Sequence, residues 1–322
     1  MKELLYITGS GRSGSTLFDM LLNTNPDIAA LGEVHRFSMN IDSKEEAHKC
    51  TCGKSIMDCD FWQDIIEVME LKGLDPHSIN TTWHWNHSVG VDDDGINIKE
   101  KVAPTNIFQR LNIFNVFLGL GLGKLLLVAA RYFPLFRRSI KIFEDSWMLY
   151  EAVSQSSGKG VVVDGTKTPG RLMGLAAINP SNVPLKVIYL CRDGRAVAHA
   201  RMGRQNLGMR QAAKIWRLEH QKIQRALRVY GLPFIVIKYE DLCSDPHSVM
   251  KKVFNFSSAR DSEIDLDFRS GSHSLGGNPM RKRLKEKEII LNEKWKTGLS
   301  KSDLEIFDEV AGEMNEKLGY TC

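Results

Sequence analysis

The sequence carries no basic tail and no basic patch interleaved with aromatics. Its 43 Lys and Arg against 39 Asp and Glu leave a formal charge of only +4, which argues against a nucleic-acid partner and suits a small anionic ligand. No internal repeat, low-complexity tract or linker breaks the chain, so its 322 residues are expected to form one domain spanning 1–322. No secretory signal is expected either. Met1-Lys2-Glu3 leads directly into a short apolar run, and a cytoplasmic location follows as the expectation. Cys191, Cys243 and Cys322 are scattered and suggest no disulfide framework. Oligomeric state leaves no trace in the sequence.

One further absence is more informative. Leu4–Ile7 is apolar, with a β-branched residue and an aromatic, and suits a strand buried on both faces. Gly9–Gly14 follows as a glycine- and serine-rich loop, and Leu17, Met20 and Leu21 then recur at helical spacing. Strand, loop and helix N-terminus together make an anion cradle, because exposed amides and the positive end of the helix both favour negative charge. Gly9, Gly14 and Thr16 keep the frame of the nucleoside-triphosphate loop, but Ser15 occupies the position of its lysine. Arg12 is the loop's only cation. The loop therefore reads as a phosphate binder, and not as that of an ordinary ATPase.

Beyond it, α/β alternation predicts a mostly parallel sheet flanked by helices. Strands are expected at 28–31, 160–164, 185–191 and 234–238, and helices at 139–154 and 211–230. Arg12, Lys167, Arg192, Arg195 and Tyr239 each fall just past an apolar strand, and parallel strands bring such ends to one edge. Several cations there imply a multiply charged anion, with Arg suited to forked phosphate contacts.

A lid insertion is expected at about 45–155, and three stretches within it leave alternatives open. His48, Cys50, Cys52 and Cys59 could supply four tetrahedral zinc ligands, yet the spacing is unusual. A disulfide from Cys59 to Cys50 or Cys52, or plain thiols in a compact loop, are the other readings. Trp83-His84-Trp85 with His87 fits an acceptor site or a packed loop. The apolar stretch 111–136 approaches the length of a membrane span. Lys124, its glycines and a Pro134 stop favour a broken pair of buried helices forming a lid, with peripheral membrane contact as the alternative.

Taken together, these motifs resemble the sulfotransferases that use 3′-phosphoadenosine 5′-phosphosulfate (PAPS). Gly9-Ser-Gly-Arg-Ser-Gly-Ser-Thr16 is similar to the family's 5′-phosphosulfate loop, and Val187–Val197, with Arg192-Asp-Gly-Arg195, to its 3′-phosphate motif. Tyr239-Glu-Asp-Leu242, the loop His273–Arg281 and the insertion Cys50-x-Cys-Gly with Cys59-x-Phe-Trp resemble further segments, the last seen in bacterial members. The resemblance implies that Ser10, Gly11, Arg12, Ser13, Gly14, Ser15 and Thr16 take the 5′-phosphosulfate and Arg192 the 3′-phosphate. Tyr239 would sit beside adenine, with Asn278 and Arg281 on the closing loop. Where the family usually has a second 3′-phosphate serine this chain has Ala200, and Arg204 and Arg281 are the substitutes.

Glu33, after the second strand, matches a glutamate base in some branches; His35 is the runner-up, and Asp164 and His199 read as structural. A carboxylate there would take the proton of an attacking acceptor, and Arg12 would stabilise the leaving phosphate with no metal required. The acceptor is a small molecule, lipid or carbohydrate: the apolar lid suggests a lipid-like or aromatic group, the Trp-His segment a sugar. An ATP-dependent phosphotransferase and a non-catalytic nucleotide-binding protein are the rival readings.

Overall fold

The computed structural model describes residues 1–83, 113–265, 267–268, 271–282 and 288–321. The organising strand is β1 (Glu3–Gly9), every residue of which is buried. It lies at the centre of a parallel five-stranded sheet with the order β2-β3-β1-β4-β5, where β2 is Ile28–Ala30, β3 Val161–Lys167, β4 Leu185–Cys191 and β5 Phe234–Lys238. Alternation along β1 explains its unbroken apolar run. Leu4 and Tyr6 enter the core on one face, Leu5 and Ile7 the core on the other, as a centrally placed parallel strand requires.

Helix α1 (Ser15–Leu22) packs on the second face with Val249, Val253 and Phe254 of a later helix, Pro246–Phe256. The first face carries the larger core, built around Trp62, Trp147, Tyr150 and Trp216. The helices supplying them are α2 (Asp60–Leu71), α3 (Pro134–Ser157) and, beyond β4, α5 (Met209–Tyr230). Fully burying side chains of this size contributes on the order of 1.5–3 kcal/mol each.

Within this core, Arg171 Nε lies 2.8 Å from Asp164 Oδ2, and both side chains are fully buried. Tyr150 donates to the same carboxylate oxygen at 2.5 Å, while Arg171 also donates to the Thr81 carbonyl at 2.7 Å. Arg171 Nη2 donates in addition to Ser146 Oγ and the Tyr150 hydroxyl, and such matching is the condition under which a buried ion pair is tolerated. Burial works to raise the Asp164 pKa, but Arg171 and the hydrogen bonds bring it below the ordinary value.

Two elements differ from the sequence reading. Strand β3 continues past Asp164 to Lys167, because Thr8 Oγ1 donates to the Lys167 carbonyl and Gly165 N–H to the Gly32 carbonyl. The chain then turns at Lys167, at φ 76°, and Pro169 starts the next helix, Pro169–Ala177.

The apolar stretch forms two short helices, Ile113–Gly119 and Gly123–Ala129, joined at Gly121, whose φ is 76°. Leu118 and Leu126 are buried, but Leu120, Leu125, Val128, Tyr132 and Phe133 are exposed, so the pair is only half covered. Pro134 does not end this pair. It opens α3, where its missing N–H costs nothing. Among the described residues no helix is long and apolar enough to cross a membrane. His84, Trp85 and His87, and Leu111 and Asn112, lie outside the described residues.

Candidate active site

The strand ends meet at a cleft of about 930 Å³. One wall is the loop after β1. Arg12 and Gly14 both take left-handed backbone, at φ 78° and 83°, which curls the chain before α1 begins at Ser15. Gly14 has no alternative: a Cβ there would lie 2.2 Å from Cδ2 of Tyr239. The same aromatic ring lies under Arg192, whose guanidinium carbon is 4.4 Å from its centroid. Arg192 Nη1 also donates to the Arg12 carbonyl at 2.9 Å and Nη2 to the Asn292 carbonyl at 2.7 Å. This arginine therefore ties the β1 loop, the end of β5 and the 288–294 segment into one frame.

Cations crowd the cleft. Arg12, Lys167, Arg192, Arg201 and Arg204 all line it. The last two belong to helix α4 (Gly194–Gln205). Burial lowers the pKa of Arg12, and the positive charges of Arg204 and Arg201 lower it further, with Glu33 opposing them. Such crowding is relieved by a bound anion. Arg201 is the one turned aside, held by Glu219 at 2.6 Å and by Ser10 at 3.0 Å.

Glu33 lines the opposite side. Its Oε1 is 2.7 Å from Lys167 Nζ and its Oε2 2.9 Å from Arg36 Nε. Burial works to raise its pKa, but Lys167, by charge and hydrogen bond, and Arg36 bring it down to about 2. A front strap closes over this carboxylate. Glu33 N–H donates to the Leu275 carbonyl at 2.7 Å, Leu275 N–H to the Leu31 carbonyl at 2.9 Å, and Asn278 N–H to Thr16 Oγ1 at 3.0 Å. A Cβ on Gly276 would lie 2.8 Å from Glu33 itself, so only glycine allows the strap this close.

Of the expected ligands, Gly11, Arg12, Gly14, Ser15, Thr16, Arg192, Arg204, Tyr239 and Asn278 border the cleft together with Glu33, and Ala200 does too. Others are placed elsewhere. Ser10 donates to Glu219 at 2.6 Å, and Ser13 is buried. Arg281 is buried behind the strap, donating to the carbonyls of Ser274 and Ala47. His35 packs its ring against Thr166 Oγ1 at 3.2 Å; burial, then Arg171, pushes its pKa down to about 3. Arg195 is engaged with Asp193 and lies over the Trp295 ring, away from the anion edge.

The sequence reading missed Arg36, Arg201 and the 288–294 segment. Arg36 had a signal, three residues from Glu33 in a helical turn. Segment 288–294 had none, since it reaches the cleft by tertiary packing alone.

The sulfotransferase family profile matches residues 5–262. The chain belongs to the sulfotransferase family. Solved structures agree on the fold. The sulfotransferase domain of the Synechococcus PCC 7002 olefin synthase superposes with a TM-score of 0.52 at 16% identity, covering 95% of this chain and 94% of that one. The sulfotransferase domain from the curacin biosynthetic pathway gives 0.54 at 18% identity, covering 99% and 98%. Comparison with curated protein sequences gives no match. This sulfotransferase thus has an α/β fold in which the glycine loop after β1, the strand-end cations and the strap residues Gly277 and Asn278 share one cleft.

Proposed function

We propose that this sulfotransferase transfers the sulfuryl group of PAPS directly to a hydroxyl or amine of a small-molecule, lipid or carbohydrate acceptor. The observation that carries this reading is the convergence of Arg12, Lys167, Arg192 and Arg204 on one cleft beside the glycine loop. A donor bearing separate 5′ and 3′ anionic groups would offset these charges at two places.

In this reading Arg12 and the amides from Gly11 to Thr16 hold the 5′-phosphosulfate. Arg192 and Arg204 hold the 3′-phosphate, and Tyr239 borders the adenine. The acceptor oxygen or nitrogen forms a bond to sulfur as the bond from sulfur to the 5′-phosphate oxygen breaks. The electron pair stays on that phosphate, where Arg12 and the positive end of α1 stabilise it. The acceptor proton passes to Glu33, directly or through water. A carboxylate paired with Lys167 is a weak base at rest. The base reading therefore requires Lys167 to leave Glu33 for the donor's anionic groups when they arrive.

The test compares thermal stabilisation by 3′,5′-adenosine bisphosphate with that by ATP and magnesium, since a ligand binding only the folded state raises its melting temperature. Radiolabelled PAPS is then screened against lipid, glycan, phenol and peptide acceptors. Preference for the bisphosphate with label transfer supports the reading. Preference for ATP would make the protein a phosphotransferase, and bisphosphate binding without transfer to any acceptor would make it a nucleotide-binding protein.

A further inference from the structure

Away from the cleft, Cys50, Cys52 and Cys59 converge with a histidine that sequence spacing did not suggest. The four ligand atoms lie within 4.8 Å of one another, and the histidine is His273. His48 is engaged elsewhere, its Nδ1 lying 2.8 Å from Ser43 Oγ. Within the cluster, Cys52 Sγ is 3.5 Å and Cys50 Sγ 3.7 Å from Cys59 Sγ. His273 Nδ1 is 3.3 Å from Cys59 Sγ and 3.7 Å from Cys50 Sγ.

Three of these four separations fit one coordination geometry, and the fourth, 3.3 Å between Cys59 and His273, is slightly shorter. Tetrahedral zinc, with bonds of about 2.3 Å to sulfur and about 2.0–2.1 Å to nitrogen, sets its ligand atoms about 3.5–3.8 Å apart. All three cysteines are free thiols.

The surroundings are built around the same point. Gly53, at φ 89°, turns the chain directly after Cys52, and Cys50 N–H donates to the Lys54 carbonyl, closing the knuckle. Phe61 stacks on the His273 ring at 5.0 Å, and Trp62 Nε1 donates to the His273 carbonyl at 3.1 Å. The stacking sets the plane of the imidazole, and the Trp62 bond fixes the backbone that carries it. Three thiolates and a neutral histidine on a divalent cation carry one net negative charge. Buried Arg281, expected to serve the nucleotide, instead donates to the carbonyl of Ser274, the residue after His273, and to that of Ala47, three residues before Cys50.

We propose that Cys50, Cys52, Cys59 and His273 form a structural zinc site that clamps the cofactor-closing strap to the insertion. His273 begins the strap. Thr51, between two of the cysteines, is bonded through its N–H and its hydroxyl to the Ser274 carbonyl. Leu275 bridges to Gly32, and Asn278 reaches Thr16. Zinc here touches no reacting atom; it positions the backbone lying over Glu33. The site stands independently of the donor and acceptor.

The test begins with full-length protein purified without chelator, its metal measured by plasma mass spectrometry. About one zinc per chain is expected, because four preorganised ligands retain the ion through purification. Chelator-stripped, reduced protein titrated with Co2+ should develop the thiolate-to-cobalt charge-transfer absorption of a tetrahedral site. Cys52 is exposed, so Cys52→Ala leaves the core intact; it should retain Zn2+ at least about tenfold more weakly, with an unchanged far-ultraviolet spectrum. Hydrogen exchange at Leu275 and Asn278 should quicken when the metal is stripped. Absence of both zinc and the cobalt band overturns the site, as does a Cys59 disulfide to Cys50 or Cys52 in freshly isolated protein. Wild-type zinc retention in Cys52→Ala overturns the ligand set, and unchanged strap exchange overturns the clamp.

Discussion

Lys167 Nζ sits 2.7 Å from Glu33 Oε1, and with Arg36 on the other oxygen it holds the carboxylate at a pKa of about 2 against the effect of burial. A carboxyl group whose pKa falls on folding adds stability above its unfolded value of 4.5, and that stability is lost as pH drops toward 2. The wild type should therefore show no acid limb of kcat/KM assignable to Glu33 above pH ~4. In Lys167→Met burial is opposed by Arg36 and, more weakly, His35, without the largest opposing charge, so the pKa rises and an acid limb should move into the measured range. Parallel pH–rate profiles of the two proteins decide this; superimposable acid limbs would dismiss Lys167 as the controlling charge.

Glu33→Gln keeps the shape and removes the base. Turnover should fall by about 10²–10⁴-fold, the usual contribution of a positioned general base, while 3′,5′-adenosine bisphosphate affinity measured by calorimetry changes little. Normal turnover in this variant would end the assignment.

Arg204 repels Arg12 in the free protein. Arg204→Ala should therefore weaken bisphosphate binding by about 10–100-fold, the loss of one charge-assisted contact, yet leave the free protein melting no lower. Arg192→Ala should differ. Arg192 also fastens the Arg12 and Asn292 carbonyls, so its loss should lower both affinity and the melting temperature. Equal melting behaviour in the two variants would refute the framing role of Arg192.

Gly14→Ala places a methyl group in a left-handed backbone and against the Tyr239 ring. Strain alone costs on the order of 1 kcal/mol, and displacing Tyr239 also disturbs Arg192. Urea unfolding should show a loss of at least ~2 kcal/mol, with nucleotide stabilisation abolished. Gly203→Ala is the control: nothing lies within 4 Å of its Cβ inside α4. There alanine should be neutral or stabilise by up to ~1 kcal/mol.

Arg171→Met strips the partner from a fully buried Asp164. A loss of about 3–5 kcal/mol is expected, read as a lower urea midpoint without a change in slope. A loss below ~1 kcal/mol would show that the carboxyl group is neutral in the native protein.

The sheet and the cations gathered at one of its edges were legible because each rests on local pattern. The run Leu4–Ile7, the glycines at 9, 11 and 14 and the cations after β3 and β4 are contiguous signals. Less legible was anything decided across the chain. His273 faces the cysteines from more than two hundred residues away, and Arg281 and Arg192 bear comparable charges in sequence, yet one is buried behind the strap and the other frames the cleft. The strand expected at 160–164 runs on to Lys167, where Thr8 holds it through a bond that no local pattern encodes. The apolar stretch breaks into two helices as its glycines suggested, the junction falling at Gly121, but it is less buried than expected, because exposed Leu120, Leu125 and Val128 find no cover.

The bridge between Gly32 and Leu275 also has a consequence for the order of assembly. During synthesis the glycine loop emerges early and the sheet can close once β5 has been made. Yet the backbone that covers Glu33 is translated about forty residues later still. A nascent chain can thus hold a finished scaffold beside an unfinished reaction chamber, and competence for chemistry waits on a segment made only after the sheet is complete.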